Sequence, residues 1–232
     1  LTVTCNHPMV PSGEKNLVYQ AASRLLAQEG VREPVRIHIR KRIPVGAGLG
    51  GGSSDAAAAL KGLNRLFALG CDQVKILSLG ASLGADVPFF VYGRPARAQG
   101  VGERLRPLSS FPRLWMVILY PGFPVPTHWV YQNLAFKLTK AIENTSIKIS
   151  LEDTEGLKRF LVNDLEKVTI RHYPRIAFLK EKLIQEGALG SLMAGSGSSV
   201  FGIFSAEKGA RRAFRRLRKE EGVQAYLVRS LS

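Results

Sequence analysis

The residues best placed to do chemistry begin with a glycine-rich run, Pro44-Val45-Gly46-Ala47-Gly48-Leu49-Gly50-Gly51-Gly52-Ser53-Ser54, followed by Asp55 and four alanines. Five glycines within seven residues allow turns with positive φ and leave the backbone N–H groups unscreened by side chains. The alanines favour a helix. Ser53 or Ser54 suits its N-cap, and Asp55 suits the positive first turn. A glycine loop that runs into a helix N-terminus turns bare amides and the helix dipole toward an anion, so the chemistry is polyphosphate binding. One of the two serines is expected to cap the helix. The other is expected to offer its hydroxyl to a phosphate or to an escorting Mg²⁺.

Other readings of this run are weaker. Gly46, Gly48 and Gly51 fit G-x-G-x-x-G, with Asp72 at the distance of a ribose-binding acid, but no parallel strand pair follows downstream. No Gly-Lys-Ser/Thr closes the loop, so the Walker pattern fails. A plain flexible turn would not need the helix, caps and glycines to agree.

A second candidate is Asp86, placed between Ala85 and the apolar Val87-Pro88-Phe89-Phe90. Burial there would tune a carboxylate toward general-base work, whereas a nearby cation would hold it ionised. A helix-cap or turn aspartate is the competing reading. A third candidate is Gly195-Ser196-Gly197-Ser198-Ser199, either an amide-rich anion turn or a polar hairpin.

The elements that must position these groups follow from periodicity. Residues 1–5 read as a strand and 15–28 as a helix striped by Leu17, Val18, Ala21 and Leu25. Residues 35–43 alternate as a half-buried strand with a basic outer face, His38 among its surface positions. Helices are expected over 54–69 and 72–83, a short strand over 89–92, and extended pieces at 96–99 and 103–107. Beyond a boundary near 109–112, a strand at 114–119 leads to a helix capped by Thr127 and ending near Lys137. A polar connection at 140–150 precedes helices at 151–162, 164–172 and 175–186, broken by Asn163 and Pro174. Strands at 189–193 and 200–204 flank the second glycine turn, before a helix at 206–221 and a last strand at 225–230. Strands and helices mingle without a strict βαβ rhythm, which argues for α+β. The expected division is 1–110 and 111–232.

The chain has 232 residues, 45% of them hydrophobic and 22% charged, in the range of ordinary globular proteins. No apolar run reaches the roughly 18–20 residues of a membrane helix, and residues 1–10 do not read as a secretory leader. Cys5 and Cys71 fit a reducing compartment, either a bacterial cytoplasm or a plastid stroma behind a transit peptide. Four dispersed histidines give no zinc spacing. The net charge of +15 is the outlier, and residues 208–219 carry seven of the basic side chains. A lone aromatic, Phe214, falls among them, not the succession of stacking rings that a single-strand binder would want. A small polyanionic substrate is the expected partner rather than nucleic acid or membrane, and oligomeric state stays open.

The string Pro44-x-x-x-Gly48-Leu49-Gly50 with Ser53-Ser54 resembles the phosphate loop of the GHMP kinases. Its triple glycine, Leu83-Gly84-Ala85-Asp86-Val87-Pro88-Phe89-Phe90 and Gly100-Val101-Gly102-Glu103 are similar to the branch that phosphorylates a diphosphocytidyl-methylerythritol in non-mevalonate isoprenoid synthesis. Met193-Ala194-Gly195-Ser196-Gly197-Ser198-Ser199 is similar to the family's third motif, with Ala194 where relatives often carry Ser or Thr. The resemblance runs from about Asn16 to the C-terminus. It implies two α+β lobes, the first like domain 2 of ribosomal protein S5 and the second ferredoxin-like, with ATP and Mg²⁺ as cofactors. It also implies Asp86 as the catalytic carboxylate and residues 44–54 as the ATP loop. Asn16, Leu17 and Lys41 become nucleotide contacts, although Lys41 also reads as an outward strand residue. Thr127 and Tyr131 fall where the family holds cytidine, although Tyr131 also reads as an ordinary amphipathic-helix residue. Gly195, Ser196 and Gly197 would approach the acceptor's diphosphate.

The front of the chain departs from that pattern. The family opens with a Pro-Ala-Lys-Leu-Asn-Leu strand and a Gly-Tyr-His segment that are absent from this sequence. The chain is therefore expected to be a fragment lacking the first strands, with an apolar sheet edge left unpaired. Two rival functions stay open: a mevalonate- or homoserine-type kinase, and a truncated, non-catalytic binding module.

Overall fold

The computed structural model describes residues 1–102, 104–108, 111–134 and 154–231. Glu103, Ser109, Ser110, the expected helix end near Lys137, the connection at 140–150 and the start of the helix expected over 151–162 lie outside the described residues. The chain divides into two compact units. One comprises Leu1–Val45 with Gly50–Leu108; the other comprises Gly46–Leu49 with Ser109–Ser232.

In the first unit, β1 (Thr2–Cys5) and β2 (Arg36–Ile39) pair in parallel, joined through a 3₁₀ turn at Gly13–Lys15 and helix α1 (Leu17–Gln28). β2 is shorter than the expected 35–43, because the chain leaves the ladder after Ile39 to enter the glycine loop. Helix α2 (Gly51–Leu66) follows, with α3 (Gln73–Ala81) and α4 (Val87–Tyr92). Ala21, Ala22 and Leu25 of α1 meet Ala56, Ala57 and Leu60 of α2 in one buried cluster. Small residues on both helices let them approach closely, so bulk at Ala56 or Ala57 would part them. Asp72 caps α3 by accepting from the Lys75 amide, which removes it from any dinucleotide role.

The segment 89–92 is helical, contrary to the strand expected there. A short apolar run has no readable period. Here Pro88 sets the first turn and Gly93, in the left-handed region, ends it. β3 (Ala96–Gln99) and β4 (Arg104–Pro107) close the unit as an antiparallel hairpin.

Glu29, at the end of α1, accepts a 2.6 Å contact from the Lys75 ammonium on α3. The Lys75 hydrogen bond and its charge hold the Glu29 carboxyl below its ordinary 4.5. A lowered folded-state pKa lends stability that is present above the unfolded value and lost as pH falls through the folded one. Thermal scans in acid should show the wild-type Tm falling below pH 4.5 more steeply than that of Glu29→Gln. Parallel curves would count against the tether.

In the second unit, β5 (Trp115–Tyr120), β6 (Gly190–Met193), β7 (Val200–Phe204) and β8 (Gln224–Arg229) form an antiparallel sheet in the order β6-β7-β5-β8. With α8 (Pro174–Gln185) between β5 and β6 and α9 (Glu207–Leu217) between β7 and β8, this is the ferredoxin-like order. Pro174 starts α8 rather than merely breaking the chain, as the first position of a helix permits. Ile176, Leu179 and Leu183 of α8 and Ala210, Ala213 and Leu217 of α9 are buried with Val117 and Leu119 of β5. The basic side of α9 is thereby left outward. α5 (Thr127–Gln132), α6 (Thr154–Phe160) and α7 (Leu165–His172) complete the unit.

Candidate active site

The glycine loop enters the second unit with residues 46–49. Val125 N donates to Gly46 O at 3.0 Å, and Ser199 N donates to Ala47 O at 3.1 Å. Gly48 has φ +74, and a Cβ built there would lie 2.0 Å from the Ala194 carbonyl oxygen. Gly195 meets Gly48 O in the same way, at 3.0 Å. These glycines are demanded by backbone packing on backbone, a reason the sequence alone does not disclose. Pro44, Val45 and Leu49 flank them, half-buried.

From Gly50 onward the loop belongs to the first unit. Gly50, left-handed at φ 64, is the N-cap of α2, and its carbonyl accepts from Ser54 N at 2.9 Å. Neither Ser53 nor Ser54 caps the helix, as was expected of one of them. They are its third and fourth residues, with hydroxyls unclaimed by any hydrogen bond among the described residues. Asp55 is likewise one turn too deep to complement the helix terminus. It accepts from Lys41 Nζ at 2.5 Å, with the Lys41 side chain only 5% exposed. A Cβ on Gly51 would strike that ammonium at 2.8 Å, so Gly51 makes room for the pair. Gly52 is exposed, and a Cβ there meets nothing within 4 Å.

Among the described residues, none of the backbone amides of 46–53 donates to a protein acceptor. Eight successive N–H groups without a protein acceptor thus lead into the N-terminus of a 16-residue helix, the kind of donor run that anions favour. That donor set fits a triphosphate.

Asp86 is exposed, not desolvated as its apolar neighbours suggest, because Val87 and Pro88 turn into the core while the carboxylate turns out. It makes no side-chain cap bond to α4. Its backbone is braced from outside: Gly102, at φ +119, has its Cβ position 2.9 Å from Ala85 O. Asn16 is buried and already occupied, accepting from Val18 N at 2.8 Å and donating to Pro11 O at 2.7 Å. Leu17 packs against the first unit's core.

In the second unit, Thr127 is the first residue of α5, with Pro126 rather than Thr127 as the cap. Its Oγ1 lies 2.9 Å from the buried Ser196 Oγ. Tyr131 is 54% exposed. Phe123 stacks on Tyr173 at 5.3 Å, and Trp129 meets the edges of His172 and Tyr173. Gly195 is exposed and Gly197 buried. Asn163, legible in the sequence only as a helix break, and Glu166 and Thr169, which carry no sequence expectation, all reach the backbone of 193–196. The Asn163-x-x-Glu166 spacing was the available signal, since it matches a helix-capping pattern. No group of three His, Cys, Asp or Glu side chains that could hold a metal occurs among the described residues. No helix among them is long and apolar enough to cross a membrane.

Residues 16–94 match the profile of the GHMP kinases N terminal domain, and 140–224 that of the GHMP kinases C terminal. The 4-diphosphocytidyl-2-C-methyl-D-erythritol kinase of Geobacter sp. (strain M21) is 46% identical over 231 residues, covering 100% of this chain and 82% of that protein. The chain belongs to the GHMP kinases, in the 4-diphosphocytidyl-2-C-methyl-D-erythritol kinase family. A crystal structure of a 4-(cytidine 5'-diphospho)-2C-methyl-D-erythritol kinase matches this GHMP kinase with a TM-score of 0.77 at 38% identity, covering 99% of this chain and 82% of that one. The homoserine kinase of Cytophaga hutchinsonii matches with a TM-score of 0.79 at 20% identity, over 99% of this chain and 81% of its own. At that identity the likeness is one of fold. The two-unit α+β architecture is thus the GHMP-kinase fold, and the chain is a small-molecule kinase.

Proposed function

We propose that this kinase moves the γ-phosphoryl group of ATP to the 2-hydroxyl of 4-diphosphocytidyl-2-C-methyl-D-erythritol, a step of non-mevalonate isoprenoid synthesis. The observation that carries the reading is the unbroken run of acceptor-free amides over 46–53 at the start of α2. These amides hold the triphosphate, with the Ser53 and Ser54 hydroxyls at hand for a phosphate oxygen or for Mg²⁺. Mg²⁺, when bound, neutralises charge on the transferring phosphate and needs few protein ligands.

The acceptor's oxygen forms a bond to the γ-phosphorus as the bond to the β-phosphate oxygen breaks, and ADP leaves. The proton of the hydroxyl passes to Asp86, whose exposed carboxylate has no helix-capping duty. Lys41 orders the start of α2 through Asp55 rather than presenting a free ammonium to the nucleotide. Thr127, Tyr131 and the turn at Gly195, Ser196 and Gly197 take the diphosphocytidyl end. The flat faces of Tyr131 and Tyr173 suit a pyrimidine ring. The acceptor identity rests on the names of relatives at 46% and 38% identity.

A coupled ADP-release assay across 4-diphosphocytidyl-2-C-methyl-D-erythritol, mevalonate and homoserine tests it. Turnover confined to the first is expected. Preference for either of the others would overturn the acceptor, and no turnover with any would overturn the kinase reading for this chain.

A further inference from the structure

We infer that Asn163 is a positioning residue for the second glycine turn, holding its carbonyls inward so that its amides face an anion. The inference rests on the kinase reading above, with the acceptor's diphosphate as that anion. The turn has a marked asymmetry. The carbonyls from Met193 to Ser196 are all engaged: Met193 O and Gly195 O accept from Asn163 Nδ2 at 2.9 and 2.7 Å, Ala194 O from Gly197 N at 2.9 Å, and Ser196 O from Thr169 Oγ1 at 3.2 Å. The amides of Gly195, Ser196 and Ser198, by contrast, have no acceptor among the described residues. A turn whose oxygens are drawn to one side presents net positive potential on the other.

Asn163 is suited to this by chemistry that few side chains share. Its amide nitrogen carries two protons, one for each carbonyl, and its Oδ1 accepts from Leu165 N at 3.0 Å. The start of α7 therefore sets the orientation of the group that sets the turn. Glu166, in the first turn of the same helix, accepts from Met193 N at 2.8 Å through one oxygen and from Lys180 Nζ at 2.6 Å through the other. Met193, where the turn departs from β6, is thus gripped at both its N–H and its C=O. Without the Asn163 amide, two carbonyls lose their donor, and the peptides around Gly195 are free to swing an oxygen toward the anion.

The helix-capping and turn-holding duties separate by substitution. Asn163→Ser keeps an oxygen that can cap Leu165 but has no NH₂. Asn163→Asp also keeps the cap and sets a negative charge against two carbonyls. In steady-state kinetics, Asn163→Ser should raise the KM for the diphosphocytidyl acceptor about tenfold or more, with Asn163→Asp worse. The KM for ATP should stay within about twofold of wild type, and Tm should change little. Calorimetric titration with CDP, under a saturating non-hydrolysable ATP analogue, should show the same loss of affinity. Thr169→Val, which removes only the bond to Ser196 O and one within α7, should move the same parameters less, and it decides the matter if the Asn163 variants do not fold. Unchanged acceptor KM and CDP affinity, equal rises in both KM values with a fall in Tm, or no CDP binding by the wild-type chain would each overturn the inference. Failure of the kinase reading shows separately, as no turnover by the wild-type chain.

Discussion

Asp86→Asn should fold at the wild-type Tm and lose roughly 10²- to 10⁴-fold in kcat. The two halves of that expectation come from different observations. The side chain is exposed and makes no cap bond to α4, so stability should shift by no more than about 0.5 kcal/mol. The loop is held by its neighbours: Val87 N donates to Gly84 O at 3.1 Å, Val87 and Pro88 are buried, and Gly102 lies against Ala85 O. The amide that replaces the carboxylate therefore sits in the same place, is uncharged and cannot take the hydroxyl proton. KM for ATP should stay near wild type, because Asp86 does not touch the amides proposed to hold the triphosphate. Single-turnover phosphoryl transfer checks the rate, and a melting curve checks the fold. A kcat within about threefold of wild type would remove Asp86 from the chemistry.

The second large effect contrasts two glycines four residues apart. Gly48→Ala places a methyl group 2.0 Å from the Ala194 carbonyl oxygen at φ +74. The left-handed conformation costs about 1–2 kcal/mol for an L-residue, and the overlap adds roughly 1–3 more. A denaturant midpoint should therefore fall by the equivalent of about 2–5 kcal/mol. Gly52→Ala meets no atom within 4 Å and sits inside α2 without a positive φ, so the same methyl should raise stability by about 0.5–1 kcal/mol. On the proposed reading, a phosphate reaches the free amides through the open space above Gly52. The stabilised variant should lose on the order of tenfold in ATP affinity by calorimetry. If its affinity is unchanged, the triphosphate does not pass over this residue.

How far the site can be read from the sequence depends on whether a contact is local. The α2 start, the glycine loop, the α1 stripe and the β6-turn-β7 hairpin are patterns within a few residues, and periodicity or turn chemistry reveals them. Residues 89–92 of the helix Val87–Tyr92 read as a strand because so short an apolar run holds too little period, and the deciding signals are Pro88 and Gly93 at the helix ends. The capping role assigned to Ser53 or Ser54 went to Gly50, whose left-handed turn satisfies the geometry without a side chain. The Lys41–Asp55 pair spans 14 positions across an aperiodic glycine loop that hides the pairing, and Gly48 packs on Ala194 from far along the chain, where no window of sequence contains both partners. Asn163 shows the same limit from the other direction. Its place as a break between helices was legible, but its hold on Gly195, 32 positions away, was not.

The backbone contact at Gly48 bears on how related sequences are sorted into working and decayed copies. A glycine there is required for the chain to close on Ala194, whether or not nucleotide ever arrives. A descendant that had lost phosphoryl transfer but still needed its second unit would keep Gly48 under the same selection. The surface positions Gly52 and Asp86 would drift first, so they, rather than the glycine signature as a whole, are where a pseudoenzyme would betray itself.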